Sequence, residues 1–226
     1  MKFKRNIMTI VVAALIVGAA FGFNFFNKDT NVKNAVSEVE NVDTSKLPIF
    51  PIRGSFVYDV NNINEAVGIV DYVFVGKVVR NDGTIYKGII TMESENGPKE
   101  VGTPYTKYAI QVIDNIKGAL IDTIEVLKHG GVSQDNKGNK GVFIFEDDLL
   151  PEVDKFYIFL GYAQKDGSII ISGPNSNVPL NVSDKQSNNL TKQSLSSLSV
   201  YQQYQEAFEN QIISVQRERF TSKYEK

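Results

Sequence analysis

The stretch Val70–Arg80, "VDYVFVGKVVR", decides how this chain is read. It has the β-branched and aromatic residues of a strand. A strand with one face in water alternates apolar and polar residues. Here Tyr72, Phe74 and Val78 occupy one face and Val73, Val75 and Val79 the other, so both faces are apolar. A strand in a highly curved sheet, with helices or straps laid over its outer side, is buried on both faces. Gly76 in mid-strand is then expected to be a bend or bulge that lets the strand coil.

The segments downstream agree with such a sheet. "TKYAIQVIDNIKG" alternates, with Tyr108, Ile110 and Val112 on one face and Lys107, Ala109 and Gln111 on the other. "DTIEVLKHGG" is a short strand stopped by Gly130 and Gly131, and "SQDNKGNK" has the residues of a turn. "GVFIF", "KFYIFLGYA" and "SIIISGP" follow as further strands, separated by the loop "EDDLLPEVD" and the turn "QKDGS". Short strands at close spacing, without long helices between them, predict a mainly β small barrel or sandwich.

Covering elements flank these strands. In "LPIFPIRGSFVYDV" Pro48 and Pro51 forbid a helix, while Ile49, Phe50, Ile52, Phe56, Val57 and Tyr58 favour burial. Residues 47–58 therefore read as an extended strap over the domain, or as an exposed docking strip. Asn61 or Asn62 caps a short helix through Ile63, Ala66, Val67 and Val70, and Asp71 closes the turn after it. After a polar linker at 183–197, Leu198, Tyr201, Phe208, Ile212 and Val215, with Tyr204 flanking, predict an amphipathic helix over 198–222. Arg217 and Arg219 suit its C-terminal end.

The N-terminus predicts a place. Lys2, Lys4 and Arg5 precede an uncharged run from Ile7 to Phe26. Twenty such residues, at about 1.5 Å each, match the roughly 30 Å hydrocarbon core of a bilayer. The cations before the run put the N-terminus inside and the remainder outside the membrane. Residues 1–27 are a transmembrane anchor or a signal peptide cleaved near Ala20 or Gly22. Residues 28–46 form a polar tether, and 47–182 form the domain.

Composition narrows the function. The chain has 226 residues, a formal charge of −2, no cysteine and one histidine, His129. Lysines are scattered among acids, without the basic stripe of a nucleic-acid binder. Thiol catalysis, disulfides and a multi-histidine metal site are excluded.

In order, the short helix, "VDYVFVGKVV", a long insert, "YTKYAIQVIDNIKG", "DTIEVLKHGG" and "LLPEVDKFYIFLGYAQKDGSIIIS" resemble the N-terminal domains of tissue inhibitors of metalloproteinases and related netrin-like modules. The resemblance covers about residues 62–173. It implies a closed five-stranded barrel of the oligonucleotide/oligosaccharide-binding (OB) type with flanking helices. It does not carry the inhibitors' function. They chelate a protease zinc through an N-terminal cysteine, and this chain has none.

Candidate chemistry is sparse. Glu146, Asp147, Asp148, Glu152 and Asp154 cluster in one loop, without a calcium-site spacing. The turn from Asp135 fails as a calcium loop at Lys137 and Lys140. His129 lies beside two glycines, but no motif ties it to Ser133 or to the acids. Tyr105, Lys107 and Tyr108 place aromatics and a cation on one strand. No residue is assigned to catalysis, to a metal or to a cofactor. The expected function is a non-enzymatic binding module at the outer face of a bacterial membrane. It would be held by residues 7–26, would bind a protein partner in the envelope and would bind no nucleic acid. The alternatives are an envelope-polymer enzyme using Glu146, Asp147 or Asp148, and a protease-inhibitor-like module.

Overall fold

The stretch Val70–Arg80 lies largely in a strand with neighbours on both edges. In a computed structural model, which describes residues 44–94, 97–135, 137–182 and 190–226, Tyr72–Lys77 pairs antiparallel with Phe156–Gly161. On the other edge, Val73–Val78 pairs with the segment that ends at Lys117. The expected anchor, most of the tether and the start of the linker lie outside the described residues. No helix among the described residues is long and apolar enough to cross a membrane.

The described residues are mainly β, with helices at the flanks. The strands are β1 (Ile49–Ile52), β2 (Tyr72–Ser94), β3 (Gly97–Lys117), β4 (Thr123–His129), β5 (Gly131–Gln134), β6 (Lys140–Phe145), β7 (Phe156–Ala163), β8 (Ile169–Ile171) and β9 (Asn177–Pro179). Six of them form one sheet in the order β2-β3-β4-β8-β7-β9, and β2 also pairs with β7. Following the pairings from β2 through β3, β4, β8 and β7 therefore leads back to β2. The β4–β8 pair is parallel, and the others in this circuit are antiparallel.

The two apolar faces of β2 enter two different clusters. Tyr72, Phe74 and Val78 join Tyr108, Ile110, Ile124, Val126, Tyr157, Phe159, Ile169 and Ile171. Val73 and Val75 join the outer residues of β7 and the helices. Gly76 lies at a register shift, as expected, and a Cβ there would collide with Ile110 on β3.

The outer cluster is covered by α1 (Ile63–Ile69), α2 (Lys192–Leu195) and α3 (Ser199–Glu209). Asn62 caps α1, its side chain accepting from the Asn64 and Glu65 amides. Leu195, Tyr201, Tyr204 and Ala207 are buried against β2 and β7, and the Tyr201 hydroxyl donates to Asp114 at 2.6 Å. The end of the expected linker is thus helical and packed, with Thr191 capping α2.

The C-terminal helix is shorter than the apolar spacing predicts. It ends at Glu209, and residues 210–226 form no α-helix. The reason is a better set of partners. The last carbonyls of α1 have no acceptor role inside that helix. The Arg219 Nη2 donates to the Gly68 carbonyl at 2.7 Å, the Arg217 Nε to Ile69 at 2.8 Å and the Arg219 Nη1 to Val70 at 2.9 Å. Both guanidiniums also meet the buried Asp71 carboxylate, at 2.5 and 3.0 Å. The arginines therefore complement the C-terminus of α1 rather than that of their own helix. The Lys117 ammonium adds a bond to the Val67 carbonyl at 2.7 Å. Beyond them, Phe220 and Tyr224 pack on the inner cluster, the Tyr72 hydroxyl bonds the Glu225 carboxylate, and the Lys226 amide donates to Ala119 at 2.8 Å.

The strap 47–58 contributes β1, which pairs parallel with β6 in a second sheet of order β1-β6-β5. Pro48 and Ile52 offer their carbonyls to β6, so Ile49 and Pro51 turn their backbone outward. Proline has no N–H, which blunts this open edge.

Removing the Asp71 carboxylate leaves Arg217 buried without its counter-charge and the Ala163 amide without its acceptor. Asp71→Ala should cost about 3 kcal/mol, read as a lower urea midpoint at unchanged slope.

Candidate interaction surface

The long insert expected between two strands is instead their continuation. Beyond Lys77, β2 has no β7 partner, and before Thr106, β3 has no β4 partner. Residues 78–81 still pair with the part of β3 that β4 flanks, whereas 85–94 and 97–105 leave the sheet as a two-stranded ribbon. β2 is irregular where it departs, with register shifts at Val78/Arg80, Asn81/Thr84 and Lys87/Ile90. Gly83 and Gly88 take positive φ angles of 80° and 62°, and the Gly83 amide bonds the Asn81 side chain at 2.8 Å. Such bulges bend and re-aim a strand pair.

The register sorts the ribbon's side chains. Residues directly opposite one another share a face. Ile90 opposes Val101, Met92 opposes Lys99 and Lys87 opposes Thr103. Thr91 opposes Glu100 and Glu93 opposes Pro98 on the other face. One face is thus apolar and basic, and the other is acidic. At its base the second face meets β5: the Tyr86 hydroxyl donates to the Val132 carbonyl at 2.8 Å, and the Val132 amide donates to Thr84 Oγ1 at 2.9 Å. On the first face Ile90, Met92 and Val101 remain 53%, 51% and 41% exposed. Three apolar side chains exposed together on one face of a projecting element is a patch of the kind used for docking.

The acids that a carboxylate enzyme needs do not converge. Glu146, Asp147, Glu152 and Asp154 are exposed. Asp154 lies 2.8 Å from Lys77, and Glu146 lies 3.7 Å from Arg53. Asp148 alone turns inward. It meets the Lys128 ammonium at 2.6 and 2.7 Å, with both side chains essentially inaccessible. Lys128 also donates to Ser176 Oγ at 2.8 Å, and that hydroxyl donates onward to Gly173. Burial pushes the Lys128 ammonium down and the Asp148 carboxyl up, and their mutual attraction opposes both shifts. The Ser176 proton faces a carbonyl, so Ser176 is not set up as a nucleophile. This pair braces the fold. No group of three or more histidine or acidic side chains able to hold a metal ion is present among the described residues.

His129 is part of an aromatic row. Its ring stacks on Tyr105 at 5.0 Å and meets Phe145 edge-on at 4.6 Å, and Phe145 in turn meets Phe56 at 5.4 Å. Its Nδ1 lies 3.1 Å from Ser172 Oγ. Burial, aided by the Lys128 charge, pushes its pKa down to about 4. The imidazole is therefore neutral at pH 7 and functions as a packing group. Ser133 is not among its partners. Lys107 pairs with Glu125 at 2.8 Å, and Tyr108 is fully buried, so only Tyr105 of that trio joins the row. Asp135 accepts from Lys137 and Asn139 within its own turn.

Sequence reading missed the Lys128–Asp148 pair, although it left a signal. Ile124, Val126 and Lys128 share one strand face, and the first two belong to the inner cluster. A lysine in phase with two core residues requires a buried counter-charge. The ribbon left a weaker signal in the alternating Ile90 and Met92.

No family model matches the chain, and no curated protein matches it.

Two outcomes follow from this geometry. Lys128→Met should cost about 3–5 kcal/mol by stranding Asp148, and Lys128→Met with Asp148→Leu should recover most of that loss in urea denaturation. His129 binds a proton near pH 6.5 when unfolded but only near pH 4 when folded. The unfolded state therefore holds more protons between these values, and stability must fall on acidification from pH 6.5 to 4, by at most about 3 kcal/mol. His129→Gln should flatten that slope in urea titrations across the same range.

Proposed function

We propose that this chain is an exported, membrane-anchored, non-enzymatic binding module, built on an OB-like closed barrel of the inhibitor/netrin type. Three features support the fold reading. The pairings form a circuit of five strands, one pair is parallel, and one cluster lies inside while a second lies under the helices. In an OB-type barrel the connection between the first two strands is a common place for recognition. Here that connection is the ribbon.

The observation that carries the functional reading is the ribbon's apolar face, with Ile90, Met92 and Val101 held away from the core on a pair of strands that the inner cluster does not need. A side chain exposed to water contributes little to folding, whereas the same side chain in an interface contributes on the order of 1–3 kcal/mol. The uncharged run 7–26 after Lys2, Lys4 and Arg5 supports export and anchoring. The scattered carboxylates leave the envelope-polymer enzyme without a paired acid and base. The inhibitor-like reading lacks the cysteine on which that chemistry depends.

Full-length chain is crosslinked in native envelopes, recovered by affinity and analysed by mass spectrometry. A specific partner should be enriched with the wild type and lost with Ile90→Ser/Met92→Ser. The thermal unfolding of that variant should match the wild type. A recovery profile indifferent to the ribbon substitutions would refute the assignment of this surface.

A further inference from the structure

The ribbon's chemistry has a counterpart elsewhere on the same molecule. Its exposed face carries Ile90, Met92 and Val101 beside the exposed Lys99, with no acid opposite them in the register, while Lys87 on the same face is paired with Asp166 at 3.9 Å. The loop between β6 and β7 carries the complement. Leu149 and Val153 are exposed there at 40% and 44%, among the exposed Glu146, Asp147 and Glu152. Both surfaces are apolar, and their charges are opposite.

These two surfaces are kept apart within one chain. The loop is joined to β2 below the ribbon, where the Asp154 amide donates to the Val78 carbonyl at 2.8 Å and the Val78 amide to Lys155 at 3.0 Å. Val78 and Ile90 pair with Ile110 and Val101, nine positions apart on β3, which is roughly 30 Å of extended strand. The ribbon thus carries its apolar face away from its own acidic loop, and a second molecule can bring another such loop to it.

We propose that the apolar, basic face of the ribbon docks on the 146–153 loop of a second copy of this chain. The proposal rests on the binding-module reading and names its partner. The contact joins two different patches, so it is heterologous. Its apolar centre is three side chains against two, smaller than a stable dimer in dilute solution requires. Association is therefore weak in solution, is favoured by confinement to a membrane, and weakens with salt because Lys99 and the loop acids are exposed.

The chain has no cysteine, so introduced thiols are the only ones present. Full-length Met92→Cys chain is mixed with full-length Leu149→Cys chain in phosphatidylcholine vesicles and oxidised. The reference is Met92→Cys mixed with Asp122→Cys, a position whose side chain is 94% exposed. The expected result is at least about fivefold more disulfide-linked dimer with Leu149→Cys than with the reference. Adding Lys99→Glu to the Met92→Cys chain should lower the yield about fivefold, to the reference level, and Asp147→Lys on the Leu149→Cys chain should restore it. A yield equal to the reference overturns the proposal, as does Met92→Cys linking equally well to itself. If the envelope crosslinking yields a different protein while these yields stay at the reference level, the self-docking proposal falls and the binding-module reading stands. If both experiments are negative, both fall.

Discussion

The rest of the architecture depends on β2 being apolar on both sides. One side fills the interior with Phe74 and its neighbours, a requirement met mostly by the strands, with Leu120, Phe220 and Tyr224 added from outside them. The other side presents Val73 and Val75, next to Ile158 and Leu160 of β7, and these would face water without a cover. Each of these side chains is worth about 1.5–3 kcal/mol when buried. The helices and the C-terminal segment are therefore integral to the fold. Asp71 stands where the cover meets the strand. It holds two arginines from the far end of the chain and an amide of β7, and so ties the last covering segment to the first strand of the sheet.

A buried ion cluster of this kind is costly to form and costly to break. Its value here is geometric. The Arg217 and Arg219 guanidiniums satisfy three carbonyls at the end of α1 as well as Asp71, so one cluster fixes the helix end, the turn into β2 and the path of the tail. The Lys128–Asp148–Ser176 cluster has the same logic on another side of the sheet, where it ties the β6–β7 loop to β4. Neither cluster is open to a substrate. Both are braces, and the surfaces left for recognition are those that neither cluster anchors.

Much of this was legible in the residues, and the misses have physical causes. The core of β2, the second half of β3, and β4, β6, β7 and β8 announced themselves by apolar runs, alternation and turn residues, and Gly76 sits at the irregularity its position implied, whereas β5 at Gly131–Gln134 falls where glycines and turn residues predict a stop. The covering strap became a strand because Pro51 can occupy an outward-facing edge position, which period and propensity do not reveal. The C-terminal helix ended early because the carbonyls of α1 compete for Arg217 and Arg219, a tertiary effect invisible to local spacing. The ribbon was hidden for a similar reason. "DGTIYKGIITMESENGPKE" contains glycines, charges and a proline that read as a loop, yet Thr84–Lys87, Ile90–Ser94 and Gly97–Glu100 are paired. The acid cluster at 146–154 looked like one feature in sequence and is several in space, because alternation and a turn at Asp147 aim Asp148 inward and its neighbours outward.

The hydrogen bond from Tyr72 to Glu225 joins residues 153 positions apart. Tyr72 opens the strand circuit, while Phe220, Tyr224 and the Lys226 amide complete one end of it. Contacts of such sequence separation form late, after the entropy of closing the long loop has been met. The domain is thus unable to reach its final packing until the segment through residue 226 has been synthesised. A chain that stops short of Phe220 leaves Tyr72 without its Glu225 partner and one end of the inner cluster open to water.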